Sequence, residues 1–369
     1  MDRRDWIRLA GAAVGGVASS ALGAEWLHNH HITKMGADRP LTPKRDRKRF
    51  YNTFKPFAGV SKASGTKNVF LFHNLQKQLG EIVPHNQSTI TDENGYTLIE
   101  GEGDCVGQAA AMIADTLAAT NIHDLGRSEQ FVAKASVEML YAGSRYEIGK
   151  DGYPEQNPNQ KNWIKGRAGS HGEWVARFMK EYGVLHRMQY TDNSNSIDLR
   201  GYDPNRSRKY RDAGVPDWLE RFAKEHPVAE ITNVQSGQEA LDAICARQPV
   251  LMCSSYAFKD KRDKQGFAEA HLGMGRQGGF FGGQWGRIVQ WWHAMALTGA
   301  ILEGGRIGGI IQNSHGAWNT GPRPYGMPEG SFAVDLEILD RMVKDWFDCY
   351  AISAYKGHEA RRMRHKLYF

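Results

Sequence analysis

The chain has 369 residues, 41% of them hydrophobic, with 10 Trp, 14 Tyr, 15 Phe and a formal charge of +6. That composition excludes a wholly disordered chain and supplies a sizeable core, enough for one large domain or two lobes packed as a unit. The positive excess lies largely in two short clusters, Lys44–Arg49 and Arg361–Lys366, which read as solvated terminal segments; without an interleaved aromatic and basic stripe, no nucleic-acid partner is expected.

The first element is an address. Arg3 and Arg4 precede Trp6, Ile7 and Arg8, and a weakly apolar Gly/Ala-rich run follows from Leu9 to Leu22. This resembles a twin-arginine export signal, with Ala21-Leu22-Gly23 offering a cleavage site. The run is too short and Gly-rich for a comfortable membrane span. The mature protein is therefore expected outside the cytoplasm, periplasmic or extracellular, with no stable membrane span once residues 1–23 are removed. Residues 24–66 are polar and basic and read as a linker, including the cluster His28, His30 and His31, which lacks the carboxylates or thiolates of a metal site.

The folded unit is expected over residues 67–355, with lobes at about 67–225 and 226–355 and a basic tail at 356–369. Residues 67–83 turn apolar, as a strand and short helix. Cys105–Thr120 is Ala-rich with apolar residues at helical spacing and Asp104 as N-cap. A second helix is predicted over Ser128–Tyr141, capped by Ser128, and a third over Gly172–Tyr182, stopped by Gly183. Residues 186–226 are polar and turn-rich and read as a long surface connection. After Ser236 a helix gives way at Pro249 to a strand. Gly273–Gly286 is a Gly-rich loop without the Gly-Lys-Ser/Thr of a phosphate cradle. Strands are then predicted at Ile288–Leu297, Ile307–Gln312 and Gly330–Val334. Helices first and strands second is an α+β signature.

Four cysteines, Cys105, Cys245, Cys253 and Cys349, form no C-x-x-C pair, which argues against a structural zinc site or thioredoxin motif. Cys245 and Cys253 sit in apolar runs as small hydrophobes. Cys105 differs. It opens a helix behind Gly101-Glu102-Gly103-Asp104, where the helix dipole favours a thiolate and the glycines admit a substrate backbone. Far downstream, His293 is the one ionisable residue in WWHAMALTGA, and Asn313 ends the next strand in GGIIQNSHGAW. Side chains at equivalent ends of paired strands can hydrogen-bond, and an amide so placed fixes the tautomer and orientation of an imidazole beside a nucleophile.

Three blocks carry a resemblance: Gly103-Asp104-Cys105-Val106, His293-Ala294-Met295-Ala296-Leu297, and Asn313-Ser314-His315-Gly316 with Trp318 and Gly330-Ser331-Phe332 beyond. In order and spacing the chain resembles the papain-like (C1) cysteine peptidases over about residues 80–340. The segments Met179–Tyr190 and Gln248–Val250 echo the same family. The resemblance implies an α+β, two-lobed papain-like fold, with a helical lobe carrying Cys105 and an antiparallel β-lobe carrying His293 and Asn313. It implies peptide-bond hydrolysis through an acyl-enzyme, with Cys105 as nucleophile, His293 as general base and Asn313 as its orienter. A peptide or protein is the expected substrate, with no metal and no cofactor.

Substrate-pocket candidates by the same resemblance are Trp291, Trp292, Trp318 and Gly172. Val106 and His315 stand where the family has tryptophans, and no glutamine lies shortly before Cys105 to donate to an oxyanion. Pro84-His85-Asn86-Gln87 resembles the family's Pro-x-x-Asn-Gln segment, so Gln87 is the oxyanion candidate, provided that a short hairpin around Asn94-Gly95 is inserted after it. Two alternatives stay open. One is a papain-like scaffold that binds peptides without catalysis. The other is a cell-wall amidopeptidase of the NlpC/P60 type, suggested by Asp104-Cys105-Val106-Gly107. In that family the histidine follows the cysteine by several tens of residues, whereas here the gap is 188.

Overall fold

The computed structural model describes residues 54–55, 67–85, 90–91, 97–98, 103–125, 131–149, 168–270, 290–317 and 319–355. The export signal, the linker with its histidines apart from Phe54 and Lys55, Ser128, the Gly273–Gly286 loop and the basic tail lie outside the described residues.

Strand β1 (Val69–Phe70) leads into helix α1 (Phe72–Leu79). A small hairpin follows, β2 (Ile90–Thr91) with β3 (Thr97–Leu98), in the register Ile90↔Leu98 and Thr91↔Thr97 that Asn94-Gly95 foreshadows. Helix α2 (Cys105–Leu125) is long and buried on nearly every side, as its Ala-rich composition requires. Helix α3 (Val137–Gly143) runs into one π-helical turn at Ser144–Ile148. It packs so closely on α2 that a Cβ at Gly107 would lie 2.7 Å from the carbonyl oxygen of Val137. Helix α4 (Gly172–Glu181) ends at Tyr182, and Gly183 takes the left-handed φ of 99° that stops it.

The second predicted helix is shorter than expected, beginning at Val137. Upstream of it the backbone is claimed by tertiary bonds: the Ala135 N–H donates to Asp115 Oδ1 at 2.7 Å and the Ser136 N–H to the Leu185 carbonyl at 2.7 Å. Residues 186–226 are also more than a surface connection. They form the hairpin β4 (Gln189–Asp192) with β5 (Asn195–Asp198), then helices α5 (Pro204–Arg211) and α6 (Asp217–Ala223). Leu199, Val215, Leu219 and Ala223 bury into the helical core, so the polar composition describes only the outer face.

The described residues beyond α6 alternate strands with two further α-helices. Strand β6 (Val228–Asn233) precedes α7 (Gly237–Cys245), capped by Ser236 Oγ on the Glu239 N–H. Strand β7 (Val250–Tyr256) follows, then the ribbon of β8 (Phe258–Arg262) and β9 (Ala268–Ala270). Strands β10 (Gln290–Ile301), β11 (Gly308–Gln312) and β12 (Ser331–Asp335) come next, then helix α8 (Leu336–Trp346) and strand β13 (Asp348–Tyr355). Every pairing in the main sheet is antiparallel, in the order β12-β11-β10-β7-β13-β6, with β1 added on β10.

The fold is α+β, with the helices of the first half laid on one face of the sheet. Successive strand residues face opposite ways, and the core divides accordingly. Leu251, Cys253, Ala294 and Ala296 join the cluster under α2, α3 and α4, while Val250, Met252, Met295 and Leu297 join the cluster under α7 and α8. Small residues on the first face, Ala294 and Ala296, share a core with Ala109, Ala110 and Ala111 of α2, which packs on β10. That brings the start of α2 onto the strand that carries His293. No helix among the described residues is long and apolar enough to cross a membrane.

Candidate active site

Cys105 is the first residue of α2, and it is fully buried. Its Sγ accepts the backbone N–H of Ala294 at 3.4 Å. The nucleophile candidate thus touches the residue next to His293, although 189 positions separate the two in the chain.

The His293–Asn313 pair is built from strand register and the turn that ends β11. Strand β10 pairs β11 with Ala296 opposite Gln312 and Leu297 opposite Ile311. Continued outward, that register sets Asn313 opposite Met295 and His315 opposite His293. The backbone turns there, and the side chains close on the histidine. His293 Nε2 lies 2.7 Å from Asn313 Oδ1, and the His315 ring stacks on the His293 ring at 4.4 Å between centroids and 27° between planes.

Hydrogen-bond logic fixes the tautomer. Asn313 Oδ1 also accepts the Ser314 N–H at 2.7 Å, so this atom is an acceptor and the amide cannot be reversed. His293 Nε2 must therefore carry a proton and donate it, which leaves Nδ1 as the basic nitrogen of the neutral ring. Asn313 Nδ2 in turn donates to His315 Nδ1 at 3.3 Å. Burial pushes His293 down to about 4, against the Asn313 bond, which favours the charged ring. At neutral pH the imidazole is an uncharged base held in one orientation.

Two further cysteines, Cys253 and Cys349, are also buried. Burial above all, then the carboxylate of Asp348, pushes Cys253 well up, and burial pushes Cys349 up as well. Both are held as thiols, which are poor nucleophiles.

Gly172 begins α4 with its N–H on Asp348 Oδ2 at 2.8 Å, and the Glu173 N–H meets Asp348 Oδ1 at 2.8 Å. A Cβ at Gly172 would fall 2.8 Å from Asp348 Oδ1 and 2.9 Å from Cys253 Sγ, so this glycine is placed by a carboxylate that caps a helix from the far end of the chain. Burial, then the charge of Asp348, raises Glu173 to about 8. Nothing in the sequence pointed to Asp348, because its partners lie about 175 residues away. Trp291 and Trp292 lie in β10 directly before His293, but their side chains, like Gln87 and Trp318, fall outside the described residues. Among the described residues no group of His, Cys, Asp and Glu is arranged to hold a metal ion.

No protein-family model matches this chain, and no curated protein matches it in sequence. Solved structures similar to it include xylellain, a cysteine protease from Xylella fastidiosa (13% identity over 86% of this chain and 95% of that one, TM-score 0.49). Digestive procathepsin L 3 of the Tenebrio molitor larval midgut is 13% identical over 95% of this chain and 99% of that one, with a TM-score of 0.42. Procathepsin B S9 from Trypanosoma congolense is 10% identical over 88% and 89%, with a TM-score of 0.45. Each TM-score lies below 0.5, and none of these likenesses decides what Cys105, His293 and Asn313 do.

Proposed function

We propose that this protein is an exported papain-like cysteine peptidase that hydrolyses peptide bonds through a thioester on Cys105. The observation that carries the reading is the convergence of three distant segments. The start of α2 brings Cys105 Sγ to Ala294, and the adjacent His293 is oriented by Asn313 at 2.7 Å.

Cys105 Sγ attacks the substrate carbonyl carbon while its proton passes to His293 Nδ1. The carbonyl oxygen becomes an oxyanion beside the Cys105 N–H at the helix start, the first donor in this proposal. Gln87 is the second donor in this proposal. Collapse breaks the C–N bond, and His293 returns the proton to the leaving amine. Water then attacks the thioester, giving its proton to Nδ1, and the second collapse frees the acid and restores the thiol. The two lobes meet where α2 meets β10, and residues 1–23 direct export.

Hydrolysis of a fluorogenic peptide library by the purified protein tests the reading. Iodoacetamide should abolish turnover and a metal chelator should not; turnover that survives complete alkylation of Cys105 refutes it.

The pH dependence follows from the site. Protonation of Nδ1 removes the base, so kcat/KM should fall as pH drops, with a midpoint near 4, and level off above about one unit higher. Asn313→Ala removes the bond that favours the charged ring. It should therefore move this midpoint further down, and lower kcat by less than His293→Ala does. A midpoint at the ordinary histidine value near 6.5 would place the base outside this buried site.

A further inference from the structure

We propose that Gln108 is a positioning residue for this reaction, joining the segment that carries the nucleophile to the loop that carries Asn313. The inference rests on the hydrolytic reading and adds to it a residue that neither the three catalytic side chains nor the family resemblance calls for.

Gln108 lies one turn into α2 from Cys105 and is almost wholly buried. Its Nε2 donates to Asp104 Oδ1 at 3.3 Å, and its Oε1 accepts from His85 Nδ1 at 3.0 Å. The carboxylate fixes the sense of both bonds. Asp104 already accepts from Tyr202 Oη at 2.8 Å and from Ser207 Oγ at 2.7 Å, so it acts as an acceptor and takes the amide N–H. His85 must then donate from Nδ1, and burial with Arg187 and Lys134 nearby holds it at about 3, as the neutral ring.

The chain of contacts continues into the catalytic loop. The carbonyl of His85 accepts the N–H of Gly316 at 2.9 Å, three residues beyond Asn313. On the other side, Asp104 directly precedes Cys105 and is held from behind by Tyr202 and by Ser207 of α5. A continuous hydrogen-bonded path thus runs from α5 through Asp104, Gln108 and His85 to Gly316. At one end it holds the backbone of the nucleophile, at the other the loop that aims the base. Gln108 donates in one direction and accepts in the other, so its amide closes the path between an acceptor at Asp104 and a donor at His85. The same path anchors His85 two positions before Gln87.

Nucleophile and base sit on different structural layers, so their separation is set by what ties the layers together. A misplacement of about 1 Å costs on the order of 100-fold in rate. Loss of the path should therefore appear in kcat, since the groups that bind substrate are untouched.

The test uses the full chain and a fluorogenic peptide that the wild type cleaves. Gln108→Met keeps the volume and removes these bonds together with the contact to Tyr202; kcat should fall between about 10- and 100-fold with KM within about twofold. Gln108→Glu sets two carboxylates together and should lose at least as much. Adding Asp104→Asn to Gln108→Glu rebuilds the path with the polarity exchanged, because the new amide donates to Glu and still accepts from Tyr202 and Ser207. The double variant should recover kcat more than tenfold over Gln108→Glu alone. Wild-type kcat in Gln108→Met overturns the proposal, and so does a double variant no better than Gln108→Glu. If Gln108→Met fails to fold, the exchange pair alone decides. A wild-type protein that cleaves no peptide refutes the hydrolytic reading instead, so the two failures are distinguishable.

Discussion

Cys105→Ala should abolish peptide hydrolysis and His293→Ala should come close to it, each costing roughly 10⁴- to 10⁶-fold in kcat, because nucleophile and base act as one unit. The double variant should be no slower than the worse single one. Neither change should unfold the protein. Cys105 packs as a small side chain in the helical core, and Ala in its place removes one sulfur atom. His293→Ala deletes a buried ring and frees Asn313, at a cost of about 1–3 kcal/mol for the polar atoms left without their partner. Circular dichroism and a thermal midpoint establish folding, and progress curves with a fluorogenic peptide give the rate. Turnover within tenfold of the wild type in well-folded Cys105→Ala would remove the nucleophile and the proposal with it.

Arg206→Met should give the largest loss of stability, about 3–5 kcal/mol. Glu138 in α3 is wholly buried, and its Oε1 accepts from Arg206 Nε at 3.0 Å, from Arg206 Nη2 at 2.7 Å and from the Asp203 N–H at 2.9 Å. Its Oε2 takes Ser136 Oγ at 3.1 Å. Without the guanidinium the carboxylate stays buried and its charge is no longer balanced. Urea midpoints measure the effect. Removing both charges, with Glu138→Gln and Arg206→Met together, should recover most of it, since a buried pair is costly to break but nearly neutral to replace. A loss below about 1 kcal/mol, the range of an exposed pair, would show that Arg206 does not balance Glu138. The pair pins α5 to α3, and α5 carries the Ser207 that holds Asp104. Its loss should therefore also lower kcat.

Several elements were legible because one physical signal dominated each. The run from Cys105 onward has apolar or small residues on every side, and only a buried helix uses such a sequence. Strand β10 is an apolar run with a single histidine, and Asn313 closes its partner strand, so register brings the two segments together and the turn after Gln312 completes the pair. The hairpin around Asn94-Gly95 was legible from turn chemistry. Other elements were hidden by conflicting signals. Phe332, Val334, Leu336 and Ile338 keep a period of two across the junction of β12 and α8, so the strand pattern runs on into a helix and conceals both α8 and β13. Helical spacing before Val137 competes with the bonds of Ala135 and Ser136 to Asp115 and Leu185, and those bonds win. At the site, Cys105, His293 and Asn313 were readable as residue types in order. The support around them was not, because Asp348, Gln108 and His85 act through contacts that bring distant parts of the chain together.

One measurement bears most directly on the claim that Cys105 is a nucleophile activated by His293. The intact protein is treated with a peptidyl epoxide, digested, and mapped for thioether adducts, in parallel with His293→Ala. Stoichiometric modification at Cys105 alone, slowed at least 100-fold in His293→Ala, is the predicted result. Modification at Cys245, Cys253 or Cys349 instead, or equal rates at Cys105 in both proteins, would contradict it.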